Sequence, residues 1–413
     1  MQDAVPKPPT LRHYIVAQGT YFASGGLSSV LYPWMLAHEL HADEALVGIG
    51  QMLATLPTML LVLFGGAAAD GRNLKQYVAQ LQLSAALVPL LLGMAIAMHA
   101  LSLPVVVIYA VMLATIAAFI MPARDALLYY VAPSELGLTR TVALATSATF
   151  GGQLVGILIA GSASVVGAVA LLSLQAAMLA VAAIATARLR LARDQVTTTT
   201  GRPQLRVIWP QVIEGVATAW NNDRLRTIIL LVILGGPVFN GVFLVAFALL
   251  NRDYYGNGSA TLAGMPLAFM VGITLSSLTL ARLKPITRQG AAIVLGQISS
   301  LLVLSAMHFA LPYPVLLALV FWWGLTSGIG ATISRSIVQA AAAPAHRARV
   351  MSLFQFGQVW GGPPGALIMG LCAQSFGVLN AMLVPAALTL TLLLGFGLLT
   401  PLWRFEREET LAS

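Results

Sequence analysis

GGAAADGRNLK, residues 65–75, sets one acid and two bases in a glycine-rich turn. The apolar segment MLATLPTMLLVLF leads into it, and YVAQLQLSAALVPLLLGMAIAM leads away. A helix needs roughly 20 apolar residues to cross the hydrocarbon of a bilayer, and each flank supplies about that many. Charges are costly at the bilayer centre, so a turn holding Asp70, Arg72 and Lys75 belongs at a membrane face. The stretch reads as a loop joining two membrane spans.

Outward from this loop, further runs of the same kind complete a set of twelve. In the first half they cover 13–36, 46–69, 76–98, 103–122, 141–163 and 165–187. In the second they cover 226–250, 260–281, 289–310, 313–333, 349–371 and 378–400. The composition agrees, with 58% hydrophobic residues, 9% charged and a mean hydropathy of +0.86 over 413 residues. A soluble domain carries roughly 25% charged residues. Gly and Pro within the runs do not oppose helix, since spanning helices tolerate both.

The expected fold is an all-α integral membrane protein with twelve transmembrane helices in two pseudo-symmetric six-helix bundles. A tail at 1–12 precedes a bundle at 13–187, and a linker at 188–225 leads to a bundle at 226–400 and a tail at 401–413. The linker opens with RLRLARDQVTTTTGRPQ, then turns amphipathic: Leu205, Ile208, Trp209, Val212, Ile213, Val216 and Trp220 share one helical face. Such a helix suits the membrane interface or a packed linker.

The net charge of +8 is a matter of topology rather than of nucleic-acid binding. With the N-terminus inside, 21 of the 22 Lys and Arg residues fall on the cytoplasmic side, and only Arg252 lies outside. Glu39, Asp43, Glu44 and Asp253 lie on that outer side. The bias of basic residues to the cytoplasmic face places both termini inside. Cys372 is the lone cysteine, which excludes an intrachain disulfide. The polar MQDAVPKPPT is followed by a run too long for a signal-peptide core, so the first span is expected to stay in the membrane.

The halves repeat. Arg124 precedes Pro133 by nine residues in ARDALLYYVAP, and Arg335 precedes Pro344 by nine in SRSIVQAAAAP, an offset of 211 for both. Each pair follows the fourth span of its half. Duplicated bundles of this kind place a substrate pathway between the halves, near the bilayer midplane.

With Gly66, Asp70 and Lys75 in place, residues 65–75 resemble the loop signature of the major facilitator superfamily. Gly71 stands where an Arg is usual, Asn73 replaces a Gly and Leu74 replaces a base. PARDALLYYVAPSEL, IEGVATAWNNDRLRTIIL and APAHRARVMSL are similar to loops of the bacterial exporters grouped as transmembrane secretion effectors, among them the enterobactin exporter. The resemblance implies a monomeric secondary transporter in the bacterial inner membrane. It would export a small organic molecule such as a drug, siderophore or metabolite by alternating access. It also implies that Asp70 meets the start of span eleven, near Arg347 and Arg349, to hold the inner gate shut. A carboxylate at a helix N-terminus is typically stabilised by about 0.3–1 kcal/mol. Arg72 is the nearest replacement base, and Lys75, Arg124 and Arg335 complete the gating set. The plainer alternative for the two loop bases is that they only set topology.

By the same resemblance, spans one, four, seven and ten line the pathway. Their candidates are Gln18, Tyr21, Ser24, Ser28 and Tyr32, then Tyr109 and Thr115, then Asn240, and then Trp322, Trp323, Thr326 and Ser327. Aromatics with few polar groups suit an amphipathic or aromatic substrate. The competing reading makes the aromatics interfacial anchors and has the hydroxyls bond to their own helices. Gln18 and Asn240 are costlier to bury unused.

Protons or another ion are the expected coupling partners, yet every Asp and Glu falls in a loop, tail or span end. Gly25 stands where related exporters often carry an Asp. Gly152, Gly156 and Gly161 match an antiporter-type signature whose Pro is replaced by Ile157, and otherwise serve close helix packing. HELHAD, residues 38–43, has metal-compatible side chains but reads as a solvated connection, so neither a metal nor a cofactor is expected. No Walker loop, metalloprotease helix or nucleophile–base set points to an enzyme. Lysophospholipid or lipid movement remains an alternative cargo, and a non-transporting receptor or scaffold an alternative of another class.

Overall fold

The computed structural model describes residues 9–69, 72–131, 137–189, 216–256, 258–282, 286–342, 347–400 and 402–405. Each of the twelve apolar runs contains helix among these residues. The first half comprises α1 (Pro9–Trp34), α2 (Glu44–Ala69), α3 (Leu74–Ala97), α4 (Leu103–Val131), α5 (Gly137–Ala160) and α6 (Ala168–Ala187). The second comprises α7 (Asp223–Tyr254), α8 (Ser259–Arg282), α9 (Gln289–Ala306) and α10 (Tyr313–Ala341), then α11 (Arg347–Trp360), α12 (Gly362–Phe376) and α13 (Leu383–Leu399). Among the described residues, nine helices are long and apolar enough to cross a membrane.

Local chemistry sets several boundaries. Asn73, a departure from the loop signature, caps α3: its side-chain oxygen accepts from the Gln76 N–H at 3.2 Å. Asn222 caps α7 through the N–H groups of Arg224 and Leu225, and Asp43 accepts from the Leu46 N–H at the start of α2. The run at 349–371 is broken, because Pro363 and Pro364 carry no N–H and open a new helix after Gly361. In the other direction, α4 and α10 outrun the expected ends at 122 and 333. Pro122 is accommodated inside α4, so Arg124 and Arg335 are helical residues rather than loop residues.

The chain divides into two compact units. The first comprises Met1–Met35 and Ala54–Leu205, and the second comprises Leu36–Leu53 and Arg206–Ser413. In the first, Tyr14, Val78, Ile120, Leu127 and Val131 bring α1, α3 and α4 together. In the second, Leu225, Ile228, Ile293, Ile337 and Phe354 do so for α7, α9, α10 and α11. Of the expected linker helix, residues up to 215 lie outside the described residues, and 216–220 are helical.

Glycine brings α1 and α5 into backbone contact. A Cβ on Gly152 would overlap the Gly19 carbonyl, and one on Gly156 would overlap the Ala23 carbonyl and the Leu27 nitrogen. Small residues permit such approach where helices gain no hydrophobic drive from each other. Gly156→Val should therefore lower the melting temperature of the detergent-solubilised protein, with overpacking costing about 1–3 kcal/mol. Gly151→Val is the control, since a Cβ there meets nothing within 4 Å. Equal melting of the two variants would contradict the packing assignment.

Candidate functional site

In the first unit, two of the polar candidates, Ser28 and Tyr109, bond each other and Gln175. The Tyr109 hydroxyl donates to Gln175 Oε1 at 2.8 Å, and Gln175 Nε2 donates to Ser28 Oγ at 2.5 Å. Ser28 Oγ lies 3.3 Å from the Tyr109 hydroxyl and closes the ring. Three helices, α1, α4 and α6, are thereby tied by one cyclic network in which every bond polarises the next. Gln175 is not among the expected residues, although the rule that singles out Gln18, an amide in an apolar run, applies equally to it.

Gln18 is buried and donates to Thr149 Oγ1 at 2.8 Å, while its Oε1 has no hydrogen-bond partner. Thr115 bonds only the Val111 carbonyl of its own helix, at 2.7 Å. Ser24 and Tyr32 are buried. Arg124 is 6% exposed, with its guanidinium carbon 4.6 Å from the Phe22 ring centroid and 5.5 Å from that of Tyr21. It donates to Asp125 at 3.1 Å, but its Nε and Nη1 have no hydrogen-bond partner among the described residues. Two aromatic faces thus replace most of the water around this cation.

In the second unit, a cavity of about 220 Å³ lies among α7, α9, α10, α11 and α13. Asn240, Gln297, Ser300, Ser327 and Gln358 supply amides and hydroxyls, Trp323 and Phe239 supply rings, and none of the described lining residues is charged. Trp323 packs edge-on to Phe269 at 5.1 Å and also meets Phe239. Asn240 donates to the Gly236 carbonyl at 2.9 Å, and Thr326 to the carbonyls of Trp322 and Trp323. Trp322 is elsewhere: it is 54% exposed and donates to Ser299 Oγ at 2.9 Å.

The gating candidates divide. Asp70 lies outside the described residues. Arg347 and Arg349 open α11, but their side chains are likewise not described. Arg72 is exposed and sits 5.0 Å over the Tyr77 ring, Lys75 is half-buried in the first turn of α3, and Arg335 is exposed.

A second polar constellation lies in the second unit around Arg252, the lone cation expected outside. Its Nη2 donates to Glu44, its Nη1 donates to the Ala42 carbonyl at 2.9 Å, and its Nε donates to Asp253 at 2.6 Å. HELHAD is exposed at Glu39, His41 and Asp43, as a solvated connection would be, but Ala42 within it is buried and held by Arg252. Leu36, Ala37 and Ala42 are buried, and a π-turn at Met35–Glu39 carries the chain into the docked segment. Close backbone contact continues the join, since a Cβ on Gly48 would lie 2.7 Å from Gly370 Cα. Nearby, the Tyr255 hydroxyl donates to the Leu311 carbonyl at 2.7 Å, and burial raises its pKa, keeping the proton on the donor.

The family profile of the Major Facilitator Superfamily matches residues 14–366. The chain belongs to the major facilitator superfamily. Solved structures of the same fold include the nucleoside transporter NupG in a mutant form, at a TM-score of 0.77 and 13% identity. That match covers 94% of this chain and 98% of the other. A bacterial homologue of the human lysosomal transporter Spinster, inward-facing and unoccupied, gives 0.71 at 12% identity, covering 98% and 100%. No curated protein matches by sequence. As a major facilitator, the chain is a multi-pass membrane transporter of small-molecule substrates and not an enzyme.

The Arg252 constellation makes a direct prediction for this transporter. Glu44→Gln should raise hydrogen exchange of the amides in residues 36–53 by about tenfold, the equivalent of one charge-assisted hydrogen bond. Unchanged protection would show that the ion pair does not hold the segment.

Proposed function

We propose that this major facilitator exports a small, uncharged organic molecule from the cytoplasm by alternating access. The observation that carries the reading is the cavity in the second unit, polar without charge and walled in part by Trp323 and Phe239. Amides and hydroxyls recognise hydroxyl, carbonyl or amide groups, and rings recognise a flat apolar body. A charged substrate would lose its hydration there without a counter-charge in return. At about 220 Å³ the cavity is small for a drug-sized ligand.

Similarity to the transmembrane secretion effectors in the loops after spans four, six and ten supports export. The distribution of Lys and Arg supports a bacterial inner-membrane placement with both termini cytoplasmic. On that topology, Arg252 and Glu44 form an outer clasp. The loop of Asp70, Arg72 and Lys75 works with Arg347 and Arg349 as an inner one, with Arg124 and Arg335 near the same face. The transporter acts as a monomer. Among the described residues the cavity lining holds no carboxylate, and any coupling to protons or another ion is assigned to residues elsewhere in the chain.

Purified protein in liposomes tests this reading. A panel of nucleosides and neutral aromatic amides should yield at least one solute whose flux requires the protein. In that assay Asp70→Asn should reduce flux about tenfold while leaving membrane insertion intact, in keeping with the loss of one charge–dipole contact and its gate. Saturable binding without flux would favour a receptor, and full flux in Asp70→Asn would remove Asp70 from the gate.

A further inference from the structure

Helices α9 and α10 meet along a seam with a separate space on each side. One is the polar cavity. The other is an apolar groove of about 650 Å³, walled by Leu295, Ser299, Leu302, Leu319, Trp322 and Ile329. Leu295, Leu302 and Trp322 are 61%, 65% and 54% exposed, so in a membrane protein this mouth meets hydrocarbon. Gly296 and Thr326 line both spaces, and the wall between them is thin at that point. A Cβ built on Gly296 meets only the Thr326 carbonyl oxygen, at 3.5 Å.

The two compartments differ in chemistry. Polar groups in the groove are engaged with the protein itself: the Trp322 indole with Ser299, and the Thr326 hydroxyl with its own helix. Across the seam stand more polar groups, the amides of Asn240, Gln297 and Gln358 and the hydroxyls of Ser300 and Ser327, of which Asn240 and Ser300 also bond their own helices. Among the described residues, neither lining contains an acid or a base.

We propose that this seam binds a neutral amphiphile with a single hydrocarbon tail. The tail lies in the groove from the bilayer side, and the uncharged hydroxyl or amide head reaches past Gly296 into the polar cavity. The adjacency of the two spaces at Gly296, where no side chain stands between them, selects this occupant. A water-soluble solute leaves an apolar groove facing lipid unfilled, and a phospholipid would carry a charged head into a cavity with no counter-charge. The inference deepens the proposed substrate class and rests on that reading of the cavity.

The test is photolabelling of the full chain in phosphatidylcholine nanodiscs with a monoacylglycerol carrying a diazirine in its acyl chain. Adducts should map to 289–306 and 313–341 and be displaced by unlabelled monoacylglycerol but not by added phosphatidylcholine. Gly296→Leu, which fills the passage, should cut labelling about tenfold, a loss equivalent to a few buried methylenes. Trp322→Ala, a change at an exposed site, should lower it in the same direction if Gly296→Leu fails to fold. Gly296→Ala should retain it. Displacement by phosphatidylcholine as effective as by monoacylglycerol would reduce the groove to a place for ordinary bilayer lipid. Labelling unchanged in Gly296→Leu and Trp322→Ala would equally overturn the proposal. The readout is binding without flux, so failure here is distinct from a failure of transport in liposomes.

Discussion

Hydrocarbon offers no hydrogen bonds, and most of what this chain does with its polar atoms follows from that. Backbone groups close within helices. Side-chain groups close on whatever lies nearest, as Thr115 does on Val111 and Asn240 on Gly236. Where own-helix partners do not suffice, groups on different helices meet, as in the ring of Ser28, Tyr109 and Gln175. Such a ring fixes the mutual rotation of three helices that lipid-like side chains alone would leave loosely defined. Packing then does the remainder, with backbone against backbone where glycine permits.

Within this economy a cavity lined by amides and hydroxyls is costly to maintain unless something polar occupies it. The second unit retains such a cavity beside Trp323, whereas in the first unit Ser28 and Tyr109 are engaged with each other and with Gln175. The two units therefore differ in kind. One is cross-braced, and the other holds space. Arg124 is the exception in the first, a cation kept between aromatic faces with part of its hydrogen-bonding capacity unspent.

Much of the fold is legible in the sequence because apolar run length and charge placement are properties of single segments. The twelve runs and the isolation of Arg252 can be read residue by residue. What cannot be read is facing. When core and surroundings are both apolar, hydrophobic periodicity no longer tells a helix which side to bury. That is why Trp322 and Trp323, adjacent and chemically alike, cannot be told apart in the sequence, yet one meets the groove and the other the cavity. Gln175 escapes notice for the same reason, as does the tie between Ala42 of HELHAD and Arg252, 210 residues away in the chain. Helix ends depart from expectation where Pro122 is accommodated instead of stopping α4.

One consequence concerns α2. It is continuous from Glu44 to Ala69, yet its residues through Leu53 belong to the second unit and those from Ala54 to the first. Pro57 lies in the turn that follows. Lacking an N–H, it leaves the carbonyl four residues earlier, that of Leu53, without its helical donor. The ladder is therefore interrupted at the residue where the helix changes allegiance. The weakest turn of α2 thus falls where its packing passes from one unit to the other, so a single helix has to satisfy two cores through one gap in its own hydrogen bonding.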